Sequence, residues 1–570
     1  MRRRALTSAV LGLGLALTAC SVPGGEQDRS AAEPASPSGP SPSSTSPSAG
    51  LSPSPSVAAS SAPSTAPASP TGRATPRRTE RRTAAWGPTR AELQRARAAV
   101  DRLRLPQLAG QVIVAEYDGQ GAPSTLVNRL HLGGVIVMSD NVASTGQVRR
   151  SNRALQTAAR GDGRRWPVFI GVDQEGGVVE RVQGEATRFP SFMSAGAARD
   201  TRLTRQAAAG SGAELRDLGF SVVFAPVADV TSGPADPTIG SRSPSSRPEL
   251  VARHSNAAVD GYLAAGVLPV AKHFPGHGSV PADSHVELPV QTRSLRQLRR
   301  VDLVPFREGE RHGVPSVMVG HLDVRAVDPG TPATVSRPVV TGMLRRDLGF
   351  DGLVVTDAMN MAAVADRYPT GAAAVHALRA GNDVVLMPPD PARARDAIVR
   401  AVREGRLDRA RLEQAAARQV AVLRHQAASR PSVRGGAGES GAASYRLSAG
   451  AATVVSGRCG RRLVGTAVRA TGPADAVRRF EVAARKAGLR TGTGTHVALV
   501  GYGGSPARGD VVVTTDTPYP LGRSSARVAR IAMYGDTPGA MRALVQVLLG
   551  RADAPGRLPV PVRGVPRRSC

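Results

Sequence analysis

Residues 272 to 289 read Lys272-His273-Phe274-Pro275-Gly276-His277-Gly278, continuing to Asp283-Ser284-His285-Val286-Glu287-Leu288-Pro289. Histidines and carboxylates this dense admit three chemistries. Imidazole and carboxylate suit zinc, but Lys272 beside His273 repels a cation, and the Gly/Pro punctuation denies any helical i,i+4 pair. A structural loop with incidental histidines is the second reading. The third is acid–base catalysis: Asp283 and His285, two residues apart on a loop, can bring carboxylate and imidazole into contact. A carboxylate beside an imidazole favours the protonated ring that a general acid needs.

Other chemistry-bearing residues fall just after short apolar runs. Asp173, Gln174 and Glu175 follow Val168–Val172, Lys272 and His273 follow Leu268–Ala271, His321 follows Ser316–Val319, and Asp357 follows Leu353–Thr356. With Gln111–Ala115, Gly134–Met138, Ser221–Ala225 and Asp383–Met387, these runs make eight strand candidates, separated by Ala/Arg/Leu-rich helical patterns. Alternating short buried strands and helices predict a parallel α/β architecture. Eight over roughly 330 residues suit a (β/α)8 TIM-like barrel with insertions, a doubly wound sheet being the alternative. In a barrel, residues at the carboxyl ends of strands share one mouth, so four such groups on different strands converge.

The remaining sequence frames this unit. Of 570 residues, 41% are hydrophobic and 3% aromatic, and the net charge is +29. The cations are nearly all arginine, Lys272 and Lys486 excepted, and are spread along the chain with no aromatic-plus-basic platform for stacking bases. That argues against a specific nucleic-acid partner and for general attraction to anionic polymers or membrane. Arg2, Arg3 and Arg4 precede a short apolar stretch from Ala5 to Ala19, the pattern of an export signal. Residues 21–88 are rich in Ser, Pro and Ala and predict a disordered linker. Thr89-Arg90-Ala91-Glu92 reads as a capping box opening the folded region. The barrel is expected over 89–426, a linker over 427–444, and a smaller α/β sandwich-type domain over 445–570. In that domain Val497–Val500, Val511–Thr514 and Arg530–Met533 are strand candidates, and Thr537-Pro538 opens a helix. Cys459 and Cys570 could pair in an oxidising compartment.

Two resemblances follow from these residues. Leu17-Thr18-Ala19-Cys20 resembles the bacterial lipobox, which implies cleavage after residue 19 and lipidation of Cys20. The protein would then be exported and lipid-anchored to the outer face of the bacterial cell membrane. The Lys-His-Phe-Pro-Gly-His-Gly run followed by Asp283-Ser284-His285 resembles the signature of family-three glycoside hydrolases, in their bacterial β-N-acetylglucosaminidase branch. Asp173-Gln174-Glu175-Gly176-Gly177 with Arg181, Gly240-Ser241-Arg242-Ser243, Leu348 to Met361 and Pro555 to Val560 match further blocks in order. The resemblance implies an exo-acting retaining enzyme with no cofactor and no metal, acting on terminal GlcNAc of peptidoglycan-derived or chitin-like oligosaccharides. It assigns Asp357 as nucleophile and His285 as acid/base, with Asp283 as dyad partner. It gives Asp173, Arg181, Arg242, Lys272, His273 and His321 to sugar binding. A phosphorylase, or a surface lipoprotein that only binds glycans, is the competing reading. The chain departs from the family pattern at Val178, where arginine is frequent, and at Glu180, an added negative charge expected to affect substrate grip. The second domain is shorter than the family's usual one.

Overall fold

The computed structural model describes residues 87–369 and 371–568. Cys20, the export signal and the linker to residue 86 lie outside the described residues, as does Cys570. Cys459 is disulfide-bonded.

The first unit is a closed parallel barrel. Its strands are β1 (Ile113–Ala115), β2 (Gly134–Val137), β3 (Phe169–Val172), β4 (Val222–Val223), β5 (Leu268–Pro269) continuing as β6 (Ala271–Phe274), β7 (Ser316–Val319), β8 (Leu353–Thr356) and β9 (Val385–Leu386). Ladders join β9-β1-β2-β3-β4-β5 in one sheet and β6-β7-β8 in another. Parallel bridges from Val227 to Lys272 and from Val355 to Val384 close the circle. Each predicted barrel run thus holds a strand; the registers shorten at their ends, and Lys272 and His273 lie on β6 rather than after it.

A strand's two-residue period decides what each side chain meets. Val114, Ile136, Phe169, Val222, Leu268, Val270, Met318, Leu353, Val355, Val384 and Leu386 point inward and fill the barrel. The intervening Ile113, Val135, Val137, Ile170, Val172, Val317, Val319 and Val354 pack against the surrounding helices. Gly134 permits close contact between strands, since a Cβ there would sit 1.9 Å from the Phe169 carbonyl oxygen. The helices read as the sequence indicates. The first, Arg90–Val100, opens on a reciprocal capping box, with Glu92 N–H donating to Thr89 and the Glu92 carboxylate accepting from Thr89 N–H.

After the helix Arg409–Ala428 the chain enters a second sheet flanked by helices. Its strands are β10 (Thr453–Ser456), β11 (Ala467–Thr471), β12 (Arg490–Thr491), β13 (Thr495–Val500), β14 (Arg508–Thr514) and β15 (Ser525–Ala532), in the order β10-β15-β14-β13-β11-β12. All neighbours are parallel except β10 against β15. The helix Pro538–Leu548 starts on the Thr537 cap with proline at its first turn. This domain seats on the barrel. Met193 and Ala197 share a buried apolar cluster with Val512, Tyr534, Leu558 and Val560. Ser191 donates through N–H and Oγ to the Tyr534 carbonyl, Ser245 Oγ donates to the Pro559 carbonyl at 2.5 Å, and Ser241 Oγ donates to Asp516. Among the described residues no helix is long and apolar enough to cross a membrane.

Candidate active site

The inward parity of each barrel strand continues past its last residue. Phe169 and Gly171 lead to Asp173, Leu268 and Val270 to Lys272, and Leu353 and Val355 to Asp357. These three side chains therefore project over the barrel's carboxyl end. Lys272 Nζ lies 2.5 Å from Asp173 Oδ1 and 2.7 Å from Glu175 Oε1. Glu175 Oε2 and Oε1 accept a two-pronged pair from Arg242 Nε at 2.8 Å and Nη2 at 2.9 Å, the fork geometry of guanidinium on carboxylate. Two anions and two cations thus neutralise one another at the mouth. Burial pushes the Glu175 carboxyl up, but Arg242 and Lys272 together hold it well below the usual range. Burial would lower the Lys272 ammonium, but Asp173 and Glu175 outweigh it and keep it charged.

Asp357 is anchored by its own backbone, its N–H donating to the Val319 carbonyl at 2.9 Å. Its Oδ1 accepts from Ala358 N–H at 2.8 Å. Burial opposes ionisation of Asp357, but His273, His321, the Ala358 amide and Lys272 together keep its carboxyl below the ordinary range. Gly320 occupies the inward position at the end of β7. A Cβ there would stand 3.1 Å from His273 Cβ and 3.9 Å from Asp357 Oδ2, so glycine keeps the space beside this carboxylate open.

His273 is oriented by Asp229, which is fully buried. Asp229 Oδ2 accepts from His273 Nδ1 at 2.7 Å, and Oδ1 accepts from His277 N–H at 2.7 Å. Burial raises the Asp229 carboxyl, but the neighbouring His273 and His277 reverse that and hold it down. Buried His277 is lowered to about 4, chiefly by desolvation and by His273, so it is neutral; its Nε2 meets Ser284 Oγ at 3.1 Å.

Ser284 lies between Asp283 and His285 and fixes their loop. Its carbonyl accepts from Ala363 N–H at 3.3 Å, six residues beyond Asp357. Asp283 Oδ1 accepts from His285 Nδ1 at 2.7 Å and from His285 N–H at 3.0 Å. Burial raises Asp283, but the His285 N–H and ring outweigh it and keep it ionised. The His285 side chain is 67% exposed. Burial lowers the His321 imidazole, with Asp357 the largest opposing influence.

Two predicted binding residues lie differently. His321 has outward parity with Val317 and Val319 and is fully buried. Its Nδ1 is 2.6 Å from Thr334 Oγ1, and its Nε2 donates to the Ala358 carbonyl at 2.9 Å, so it braces the Asp357 segment. Arg181 is tied to Asp173 only through the backbone, its N–H donating to the Asp173 carbonyl at 3.2 Å. Its side chain lines a neighbouring recess with Val142, Ser144 and Glu185, and its Nε is buried without a hydrogen-bond partner. Glu180 corrects an expectation: it is buried and pairs with Arg188 at 2.9 Å and with Phe189 N–H at 3.0 Å. Its charge is spent on folding the segment rather than on substrate. Val178 is 45% exposed. Glu175 and Asp229 received no role from sequence. Glu175 was readable, because residues two apart on an extended segment share a face, and Asp173 and Glu175 do so toward Lys272. Among the described residues no group of histidine, cysteine or carboxylate is arranged to hold a metal ion.

A family model described as the glycosyl hydrolase family 3 N-terminal domain matches residues 104–422. The chain is 39% identical over 282 residues to β-hexosaminidase A of Pseudoalteromonas piscicida, covering 46% of this chain but spanning only about half (47%) of that relative. It is 37% identical over 287 residues to the β-hexosaminidase LpqI of Mycobacterium tuberculosis, covering 49% of this chain and 72% of that one. The solved structure of a family 3 β-N-acetylglucosaminidase from Paenibacillus superposes with a TM-score of 0.73 at 30% identity, covering 81% of this chain and 99% of that one. The chain belongs to glycosyl hydrolase family 3.

Proposed function

We propose that the protein is an exo-acting, retaining β-N-acetylglucosaminidase that hydrolyses terminal GlcNAc from peptidoglycan-derived or chitin-like oligosaccharides. The observation that carries this reading is the His285–Asp283 pair, anchored through Ser284 to the segment following Asp357. In the first step the Asp357 carboxylate attacks the anomeric carbon. The glycosidic bond breaks as His285 Nε2–H passes its proton to the leaving oxygen, giving a glycosyl ester on Asp357. Asp283 holds Nδ1–H and so leaves Nε2 as the atom that exchanges protons. In the second step the neutral imidazole takes a proton from water, whose oxygen attacks the same carbon and frees Asp357. A carboxylate kept ionised by His273, Lys272 and the Ala358 amide suits the nucleophile. Asp173 and Lys272 offer an acceptor and a donor at the mouth for ring hydroxyls.

The test is mass spectrometry after incubation with a slow fluorinated GlcNAc substrate, alongside turnover of an aryl β-GlcNAc with and without phosphate. A covalent adduct on Asp357 and free GlcNAc as product are expected, with turnover abolished in Asp357→Ala. Labelling of another residue overturns the assignment, and GlcNAc 1-phosphate as main product makes the enzyme a phosphorylase. We propose further that Cys20 carries the lipid anchor that holds the protein at the outer membrane face. Release of Cys20→Ser from the membrane fraction is expected, and its retention there refutes the anchor.

A further inference from the structure

Five arginines crowd the seam between the barrel and the second domain. Arg199 ends the helix Met193–Ala198 in a left-handed conformation, φ 55°, its N–H bonded to the Ala195 carbonyl. Arg247 caps the helix Pro248–Ala265, and Arg253 follows within it. Arg557 N–H donates to the Ala197 carbonyl at 3.0 Å, and the Arg567 carbonyl accepts from Leu558 N–H at 2.9 Å. The Ser245–Pro559 bond ties the Arg247 approach to the same segment. Three of the guanidiniums therefore come from the barrel and two from the second domain. Among the described residues none of the five pairs with a carboxylate. The nearby Asp200 is engaged by Arg202 at 3.0 Å and by the Arg202 N–H that it caps.

The charge is felt at the centre of the group. Arg199 is lowered by desolvation and then by Arg247, Arg557, Arg567 and Arg253 in turn. Its Nε is shielded from solvent and has no hydrogen-bond partner, while the other four side chains are exposed. Like charges held together with no internal counter-ion favour an external one. The helices beginning at Thr201 and Pro248 follow β3 and β4, so these arginines lie at the barrel end that carries Asp357, and the helix N-termini add to the positive field. The surface is open and extends across two domains, which fits a chain of repeated charges better than a single ion. Among the described residues no aromatic ring faces these guanidiniums, so the ligand is read by charge rather than by stacking.

We propose that Arg199, Arg247, Arg253, Arg557 and Arg567 form a docking surface for an anionic polysaccharide, a glycan carrying repeated carboxylates, held beside the catalytic mouth. The choice of a glycan rests on the glycosidase reading; the anion site itself does not. The experiment measures binding of polygalacturonate to the full chain at two salt concentrations, without turnover. The pair Arg199→Gln/Arg557→Gln is compared with Arg95→Gln/Arg102→Gln, which removes the same charge from two exposed positions, on and just after the helix Arg90–Val100, far from the seam in sequence. The first pair is expected to lose ~10-fold or more in affinity and the second less than ~2-fold. Arg253→Gln/Arg567→Gln, at exposed positions, repeats the test should the first pair fold poorly. Equal losses in cluster and control variants overturn the site. Tighter binding of inorganic polyphosphate or duplex DNA, with the same dependence on these arginines, overturns the glycan. An inactive but normally binding protein would count against the glycosidase reading and leave the surface standing.

Discussion

Replacing Glu175 by glutamine tests the neutral quartet at the mouth. The Glu175 side chain is 3% exposed and accepts charge-assisted bonds of 2.8, 2.9 and 2.7 Å from Arg242 and Lys272. Glutamine keeps one acceptor oxygen and turns an amide NH2 toward cationic donors. Arg242, 14% exposed, then loses its carboxylate partner, and Lys272, 3% exposed, keeps only that of Asp173. Removing one partner of a buried ion pair costs about 3–5 kcal/mol, so that loss of stability is expected in urea unfolding, read as a lower midpoint at unchanged slope. The double variant Glu175→Gln/Lys272→Met restores neutrality and should lose less than the sum of its single changes. The folded-state pKa of Glu175 is depressed, so its contribution is present above the unfolded value of about 4.3 and lost as pH falls below it. A Glu175→Gln protein within ~1 kcal/mol of the parent, or strictly additive single changes, would refute the account of the mouth as a mutually neutralised cluster.

Asp283→Asn should lower turnover by about 10²-fold on substrates with poor leaving groups and much less on activated aryl glycosides, seen as a steeper dependence on leaving-group pKa. His131, His254 and His277 are buried and each lowered to about 4, chiefly by desolvation. The unfolded chain therefore binds more protons between about 6.5 and 4, and stability, complete above 6.5, should fall across that window by up to ~3 kcal/mol per histidine; a flat unfolding midpoint from pH 7 to 4.5 would contradict this. Asp516→Ala removes the partner of Ser241, next to Arg242, and should raise KM more than it lowers kcat; an unchanged KM would show that the second domain does not hold the Arg242 loop.

The barrel was legible because its strands are apolar, β-branched and spaced by amphipathic helices, and the mouth because its polar groups stand at strand ends. Parity carried more information than proximity to a strand end alone. Counting by twos from Val355 gives Asp357 and from Val270 gives Lys272, both inward, whereas counting from Val317 gives His321, which is outward and bonded to Thr334. Counting instead from the inward Met318 puts Gly320 beside the nucleophile candidate. Asp229 was not legible: it sits in the apolar run Val227-Ala228-Asp229-Val230, and only the fold brings it to the backbone of His273 and His277. In the second domain β11 escaped because its outer half, Arg469 to Thr471, alternates with no continuous apolar face, and β12 is a two-residue edge.

Asp516 and Tyr534 grip the loops of Ser241 and Ser191 from outside the barrel, and that arrangement bears on how this molecule could be shortened. A fragment ending near residue 428 would keep every strand of the barrel yet leave Met193 and Ala197 bare to water. The Ser241 and Ser245 hydroxyls would lose their acceptors, and the stretch that delivers Arg242 to Glu175 would be free to wander. The appended sheet thus behaves as a buttress, and trimming it should cost catalytic competence before it costs the barrel itself.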